Sequence, residues 1–232
     1  MSSNGRAPIE CIVFDIDDTL YLERDYVRSG LRAVGEWVRE SRGVDSFFEE
    51  SWGLFEAGRR GDIFNAALEK FGIAPDEELI RKLLSVYRSH DPEIQLLPDS
   101  EECLRTVNGK AFIGVISDGA AVGQQMKVAR LGLTSRCNHI ILTESIGVEF
   151  SKPHPRAFEE MQQISRCAPE ACVYVADNPI KDFISPNRLG WRTIRVRRPG
   201  GLHCGRSCAE ESRTSFEIEN LENLAALLGI HA

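Results

Sequence analysis

Three acids, Asp15, Asp17 and Asp18, stand in the stretch "CIVFDIDDTL" at 11–20, directly behind a short apolar run. Carboxylates this near one another raise each other's pKa and cost stability, so something must neutralise them. Other chemistry-bearing residues follow apolar runs in the same way. "FIGVI" ends in Ser117, Asp118 and Gly119. The stretch behind "HIILT" leads to Ser151, Lys152 and Pro153, and "CVYVA" ends in Asp177 and Asn178, with Asp182 five positions on. Each has a plain structural explanation when taken alone. An Asp after a strand caps a helix or makes a turn, "SDG" is a turn signal, and one lysine is a surface charge. An ordered series of carboxylates, a hydroxyl and an amine at four successive run ends is much harder to explain that way.

Positioning such groups at one place is the work of the elements between them. Cys11–Phe14 is short, apolar and bounded by acids, which predicts a fully buried strand. From about Asp25 to Arg88 the apolar spacing changes to three and four. "YVRSGLRAVGEWVRE", "SFFEESWGLFEAG", "IFNAALEKFG" and "EELIRKLLSVYRSH" read as amphipathic helices with turns near Gly43, Gly61 and "GIAPD". Behind "LLPDS" the rhythm is helix ("SEECLRTVNG"), strand ("AFIGVIS"), helix ("AVGQQMKVARLGL"), strand ("HIILT"), helix ("PRAFEEMQQIS") and strand ("ACVYVA"). A short helical or turning segment ("DFISPNRLG"), a strand ("RTIRVR"), an edge strand ("SFEIEN") and a closing helix ("LENLAALLG") complete it. This alternation specifies an α/β protein: a Rossmann-like, doubly wound parallel sheet with helices on both faces. The helical segment is then an insert after the first strand. The expected division is a core of 1–22 and 96–232 with a helical cap of 23–95. In open α/β sheets, ligands bind outside the carboxyl ends of the strands, where the polar residues above collect.

The 232 residues carry a formal charge of −7, with 42% hydrophobic and 27% charged residues, ordinary for a globular protein. A net negative surface disfavours nucleic acid and anionic lipid. "RVRRPGG" at 195–201 is the nearest thing to a basic patch; it reads as a solvated edge, with contact to a substrate phosphate as the alternative. No run approaches the ~18–20 apolar residues of a membrane span, and "MSSNGRAPIE" lacks the apolar middle of a signal peptide. Seven scattered cysteines without framework spacing favour reduced thiols and a cytoplasmic location. "HCGRSC", with Cys204 and Cys208, offers three zinc ligands at most and reads as a loop with incidental thiols.

The ordered motifs resemble the haloacid dehalogenase superfamily of hydrolases, in the group with a helical cap between the first and second motifs. "DIDDT" matches the first motif through Asp15, Asp17 and Thr19, and Ser117 in "VISDG" matches the second. Lys152 in "SKPHPRAF" matches the third, and Asp177 and Asp182 in "ADNPIKDF" match the fourth. Ala176 stands where many members have Gly. The resemblance implies a Mg²⁺-dependent phosphatase that hydrolyses a small phosphomonoester, a sugar phosphate or a nucleotide, through an aspartyl-phosphate. Asp15 would be the nucleophile, already ionised at neutral pH, and Asp17 the general acid and base. Positions i and i+2 of an extended chain share a face, so both acids can address one phosphate. Nearby carboxylates are expected to raise the Asp17 pKa. Thr19 would support the loop by hydrogen bonds. Ser117, with the amide of Asp118 or Gly119, would donate to the phosphoryl oxygens, and Lys152 would offset their charge. Mg²⁺ would take a carboxylate oxygen of Asp15, the backbone carbonyl of Asp17 and a carboxylate of Asp177, with Asp182 acting through water or by orienting its neighbours.

Dehalogenating members lack the second acid, so Asp17 favours phosphoryl transfer. Phosphonate-cleaving members use a cap lysine; Lys70 and Lys82 sit in ordinary helix patterns and are expected in solvent. Substrate choice is expected in the cap, where Tyr21, Arg24, Tyr26, Arg59 and Arg60 could face the cleft. "AGRRGDIF" reads either as a loop that reaches an anion or as a solvated turn between helices. A phosphomutase of the same superfamily and a non-catalytic phosphate-binding module remain as alternatives. The expected partner is a small phosphorylated metabolite, bound by a monomer or homodimer.

Overall fold

The computed structural model describes residues 7–230. Residues 1–6, part of the stretch read for a signal peptide, and 231–232 lie outside the described residues. The sheet has six parallel strands in the order β3-β2-β1-β4-β5-β6. They are β1 (Cys11–Phe14), β2 (Phe112–Ser117), β3 (His139–Leu142), β4 (Cys172–Ala176), β5 (Arg192–Val196) and β6 (Phe216–Ile218). The apolar β1 is central. Its Phe14 is in register with Val115 of β2 and Val175 of β4, and Asp15 N donates to Val175 O at 2.9 Å. The run ends of "CIVF", "FIGVI" and "CVYVA" therefore finish at one edge of the sheet.

Alternation along the buried strands sends side chains to two cores. Ile12 and Phe14 join Val115, Val173 and Val175 on one face, under α5 (Pro98–Val107) and α9 (Leu224–Leu227). Cys11 and Val13 join Tyr174, Phe158 and Met161 on the other, under α7 (Arg156–Ser165) and α8 (Ile184–Arg188). Each such fully buried aliphatic side chain contributes about 1.5–3 kcal/mol. Asp15 continues the Cys11–Val13 face and so points toward Tyr174 and the residues above it.

Four helices, α1 (Glu23–Arg42), α2 (Phe47–Glu56), α3 (Ile63–Lys70) and α4 (Glu77–Ser89), lie between β1 and α5. They share a separate apolar cluster that includes Leu31, Val34, Phe47, Phe55, Leu68 and Leu83. Asp76 caps α4, its carboxylate accepting from Leu79 N at 2.8 Å. The insert meets the core closely at α6 (Ala121–Arg130): a Cβ on Gly123 would lie 2.7 Å from the Tyr26 hydroxyl.

The stretch 195–201 is a solvated edge only in part: Arg197, Pro199 and Gly200 are exposed. The Arg195 and Arg198 side chains are buried. Arg198 donates to Thr19 O and Ser100 Oγ, both at 2.8 Å, and pairs with Asp99 at 2.8 Å. Arg195 donates to Asp177 O at 3.2 Å and His203 O at 2.8 Å. These guanidiniums are internal ties between loops, a use that the charge pattern alone does not distinguish from exposure.

Candidate active site

The strand ends meet in a cavity of about 350 Å³ between the sheet edge and the helical insert. Asp15, Asp17, Asp118, Gly119 and Asp177 line it from the core. Glu23, Tyr26, Tyr87 and Arg88 line it from the insert. Lys152 is buried beneath, with its ammonium 2.9 Å from Asp15 Oδ1, 2.8 Å from Asp182 Oδ1 and 2.9 Å from the Tyr174 hydroxyl. Burial alone would lower its pKa, but the Asp15 and Asp182 charges hold it well above the usual lysine value.

Carboxylate oxygens of Asp15, Asp177 and Asp182 lie within 4.8 Å of one another. Three buried carboxylates face one ammonium there. Burial, opposed by Lys152 and aided by Asp182 and Asp17, raises the Asp15 pKa to about 7. Burial and the charges of Asp182, Asp15 and Asp18 raise Asp177 to about 10. Asp177 Oδ2 is buried and has no hydrogen-bond partner among the described residues. An orphaned carboxylate oxygen beside two other acids is a donor set for a hard divalent cation, which would offset their repulsion. Asp182 also fixes its own loop, its Oδ2 accepting from Asn178 N at 2.9 Å.

Asp17 differs from its expected electrostatics. Its carboxylate accepts from Lys127 Nζ at 2.7 and 2.8 Å, from Gln124 Nε2 at 3.2 Å and from the Tyr21 hydroxyl. Burial pushes its pKa up, but the Lys127 charge and these hydrogen bonds outweigh it, and the net shift is downward. The side chain is thus directed to Lys127. Lys127 on α6 was not legible in the sequence. It sits in "QQMKVAR" at ordinary helical spacing, and only the packing of α6 against Asp17 gives it a role.

Ser117 ends β2 and donates to Gln124 Oε1 at 3.1 Å. Gly119 has φ 124°, and a Cβ there would meet Gln124 Nε2 at 2.9 Å, so glycine is required at that turn. The Asp118 carboxylate accepts from Thr143 Oγ1 at 2.8 Å, Lys152 N at 3.1 Å and Lys181 Nζ at 2.7 Å. Burial raises its pKa, but the Lys152 and Lys181 charges bring it below the usual value. Asp118 therefore ties three loops together. Thr19 does not support the loop through its hydroxyl, which is buried without a partner among the described residues; its carbonyl does so by accepting from Arg198. Asp18, φ 49°, accepts from Glu23 N at 2.9 Å and Leu202 N at 2.6 Å, joining the start of the insert to the 198–204 loop.

Of the insert residues named from sequence, Tyr26 lines the cavity and Tyr21 is buried against Asp17. The structure does not bring Arg24, Arg59 or Arg60 to this cavity. Arg24 pairs with Glu56 at 3.1 Å, and Arg59 forks onto Asp62 at 2.8 and 2.7 Å. Arg60 stacks 3.9 Å over Phe55 and donates to its carbonyl. A nearby partner, rather than the cleft, takes each guanidinium. Lys70 and Lys82 are exposed. Glu23, absent from the sequence reading, lines the cavity, with its pKa raised to about 8 by burial and then by the Asp17 charge. The "HCGRSC" loop reaches the cavity through His203, whose Nε2 lies 3.1 Å from Asn178 Nδ2. Cys204 and Cys208 are free thiols.

The chain that carries these strand-end acids and lysine belongs to the haloacid dehalogenase-like hydrolases, whose family model matches residues 9–190. A relative from Methanopyrus kandleri, named glyceraldehyde 3-phosphate phosphatase, is 31% identical, with 82% of this chain and 84% of that protein covered. A Methanocaldococcus jannaschii protein of the same name is 27% identical over 95% of this chain and 97% of its own. Among solved structures, the HAD-hydrolase YfnB from Bacillus subtilis, bound to magnesium, superposes with a TM-score of 0.70 at 18% identity, covering 97% of this chain and 100% of that one. That likeness supports the fold.

Proposed function

We infer that this chain is a Mg²⁺-dependent phosphatase that hydrolyses a small phosphomonoester through an aspartyl-phosphate on Asp15. The observation that carries this reading is the pairing of Asp15, 2.9 Å from Lys152, with a second acid, Asp17, lining the same cavity. Asp15 attacks phosphorus in line, its oxygen forms the new P–O bond, and the bond to the leaving alkoxide breaks. Asp17 supplies the proton that the alkoxide takes. The phosphoryl dianion beside Asp17 opposes Lys127 and brings the carboxyl toward the pKa a donor needs. In the second step ionised Asp17 takes a proton from water, whose oxygen attacks phosphorus and releases Asp15. Lys152 offsets charge on Asp15 and the phosphoryl oxygens, and Ser117 and the Asp118–Gly119 turn shape the place where those oxygens rest. Asp15, Asp177 and Asp182, with the backbone carbonyl of Asp17, would hold Mg²⁺, which supplies positive charge that draws anionic ester and nucleophile together.

The relatives' shared name makes glyceraldehyde 3-phosphate the first substrate to try. The cavity volume suits a short phosphorylated metabolite, and Arg88 lines it without an ion-pair partner among the described residues. No helix among the described residues is long and apolar enough to cross a membrane. The test is phosphate release across a panel of phosphomonoesters, triose phosphates included, with Mg²⁺ or with chelator. Turnover that stops with chelator is expected; no turnover across the panel would overturn the reading.

A further inference from the structure

A second cavity, about 270 Å³, lies inside the helical insert and is unaccounted for by the chemistry above. Its walls are largely apolar, with Leu31 of α1, Phe55 of α2, Phe64 of α3 and Leu84 of α4, and carry Arg60 and Asn65 as polar members. Leu202 closes it from the core. Three features place it directly beside the catalytic cavity. Glu23 and Tyr87 line both. Leu202 lines one and its neighbour His203 the other. An aromatic wall also runs between them, with Tyr26 at 5.6 Å and edge-on to Tyr87, and Tyr87 at 6.0 Å and edge-on to Phe64.

We propose that this second cavity receives the apolar end of the substrate, so that the enzyme accepts phosphomonoesters whose leaving group carries an alkyl chain or aryl ring. The inference rests on the phosphatase reading and extends it beyond trioses. An apolar cavity of about 150 Å³ suffices to take benzene, so the observed space admits a ring or a chain of several carbons. With the phosphate at Asp15, the leaving group extends past Tyr26 and between Glu23 and Tyr87 into the insert. Burial of each methylene is then used in binding the transition state.

The test is a homologous series of n-alkyl phosphates, ethyl to octyl, with kcat/KM read for each. A rise of roughly two- to fourfold per added methylene over the first several carbons is expected. Leu84→Trp, which fills the cavity from α4, is expected to flatten that rise. Because the readout is the octyl-to-ethyl ratio, a general loss of folded enzyme cancels. Ile80→Trp, which also lines the cavity from α4, serves as the second variant if Leu84→Trp does not fold. Equal kcat/KM along the series would overturn the proposal while leaving the phosphatase reading intact. If no alkyl ester turns over, the phosphomonoester panel decides the phosphatase reading, and calorimetry with ethyl- and octylphosphonate decides about the cavity. Tighter binding of the octyl compound, lost in Leu84→Trp, supports it; equal affinities overturn it.

Discussion

At the scale of single residues, Lys127 holds Asp17, the proposed proton donor, in its ionised form. Its ammonium sits 2.7 Å from the Asp17 carboxylate and outweighs burial to hold that pKa down. Removing it in Lys127→Met must raise the Asp17 pKa. The protonated, proton-donating form then persists to higher pH, so the alkaline limb of the kcat profile is expected to move upward. A limb that stays in place would assign it to another group. Asp17→Asn removes the donor itself and is expected to lower kcat by about 10²–10⁴-fold on esters of poor leaving alcohols. An activated aryl phosphate, whose leaving group needs less protonation, should suffer less. That Asp15, Asp17 and Asp177 meet at one cavity was legible because each stands at or just past the end of an apolar run, and strand ends converge. Lys127, Glu23 and His203 were not, because a helix residue or a loop residue far along the chain acquires its neighbours only by packing.

At the scale of elements, the loops around the site are held by buried guanidiniums. Arg198 links the 15–20 turn, through Thr19 O, to α5 through Ser100 and Asp99. Breaking a buried charge pair leaves its partner uncompensated, at a cost of about 3 kcal/mol or more. Arg198→Met is expected to lower the melting temperature by roughly 6–12 °C, measured by thermal unfolding, and a change within error would mean that Asp99 is solvated without it. The sheet and the four-helix insert were legible because apolar spacing switches between buried runs and helical periods. The burial of Arg195 and Arg198 was not, because a guanidinium reads the same whether its partner is water or a carbonyl. Likewise "AGRRGDIF" had two open readings, and only the Asp62 carboxylate and the Phe55 ring decided which way its arginines turn.

At the scale of the whole molecule, the acidic cluster links stability to pH and metal. The Asp15 and Asp177 pKa values are raised to about 7 and about 10. Such groups bind protons more tightly folded than unfolded. Their contribution is fully present below the unfolded carboxylate pKa, about 4, and is lost as pH rises through the folded values. Metal-free protein is therefore expected to lose melting temperature from about pH 4 to about pH 10. Mg²⁺ competes with those protons, so the stabilisation it adds should grow over the same interval; a metal-induced shift that shrinks with pH would place the ion elsewhere. The proposed chemistry depends on phosphorus becoming bonded to Asp15. Acid quenching of the enzyme in mid-turnover with a phosphomonoester and Mg²⁺, followed by mass spectrometry of its peptides, tests this most directly. Phosphate on Asp15, absent in Asp15→Asn, is expected; turnover with that residue never modified would contradict it.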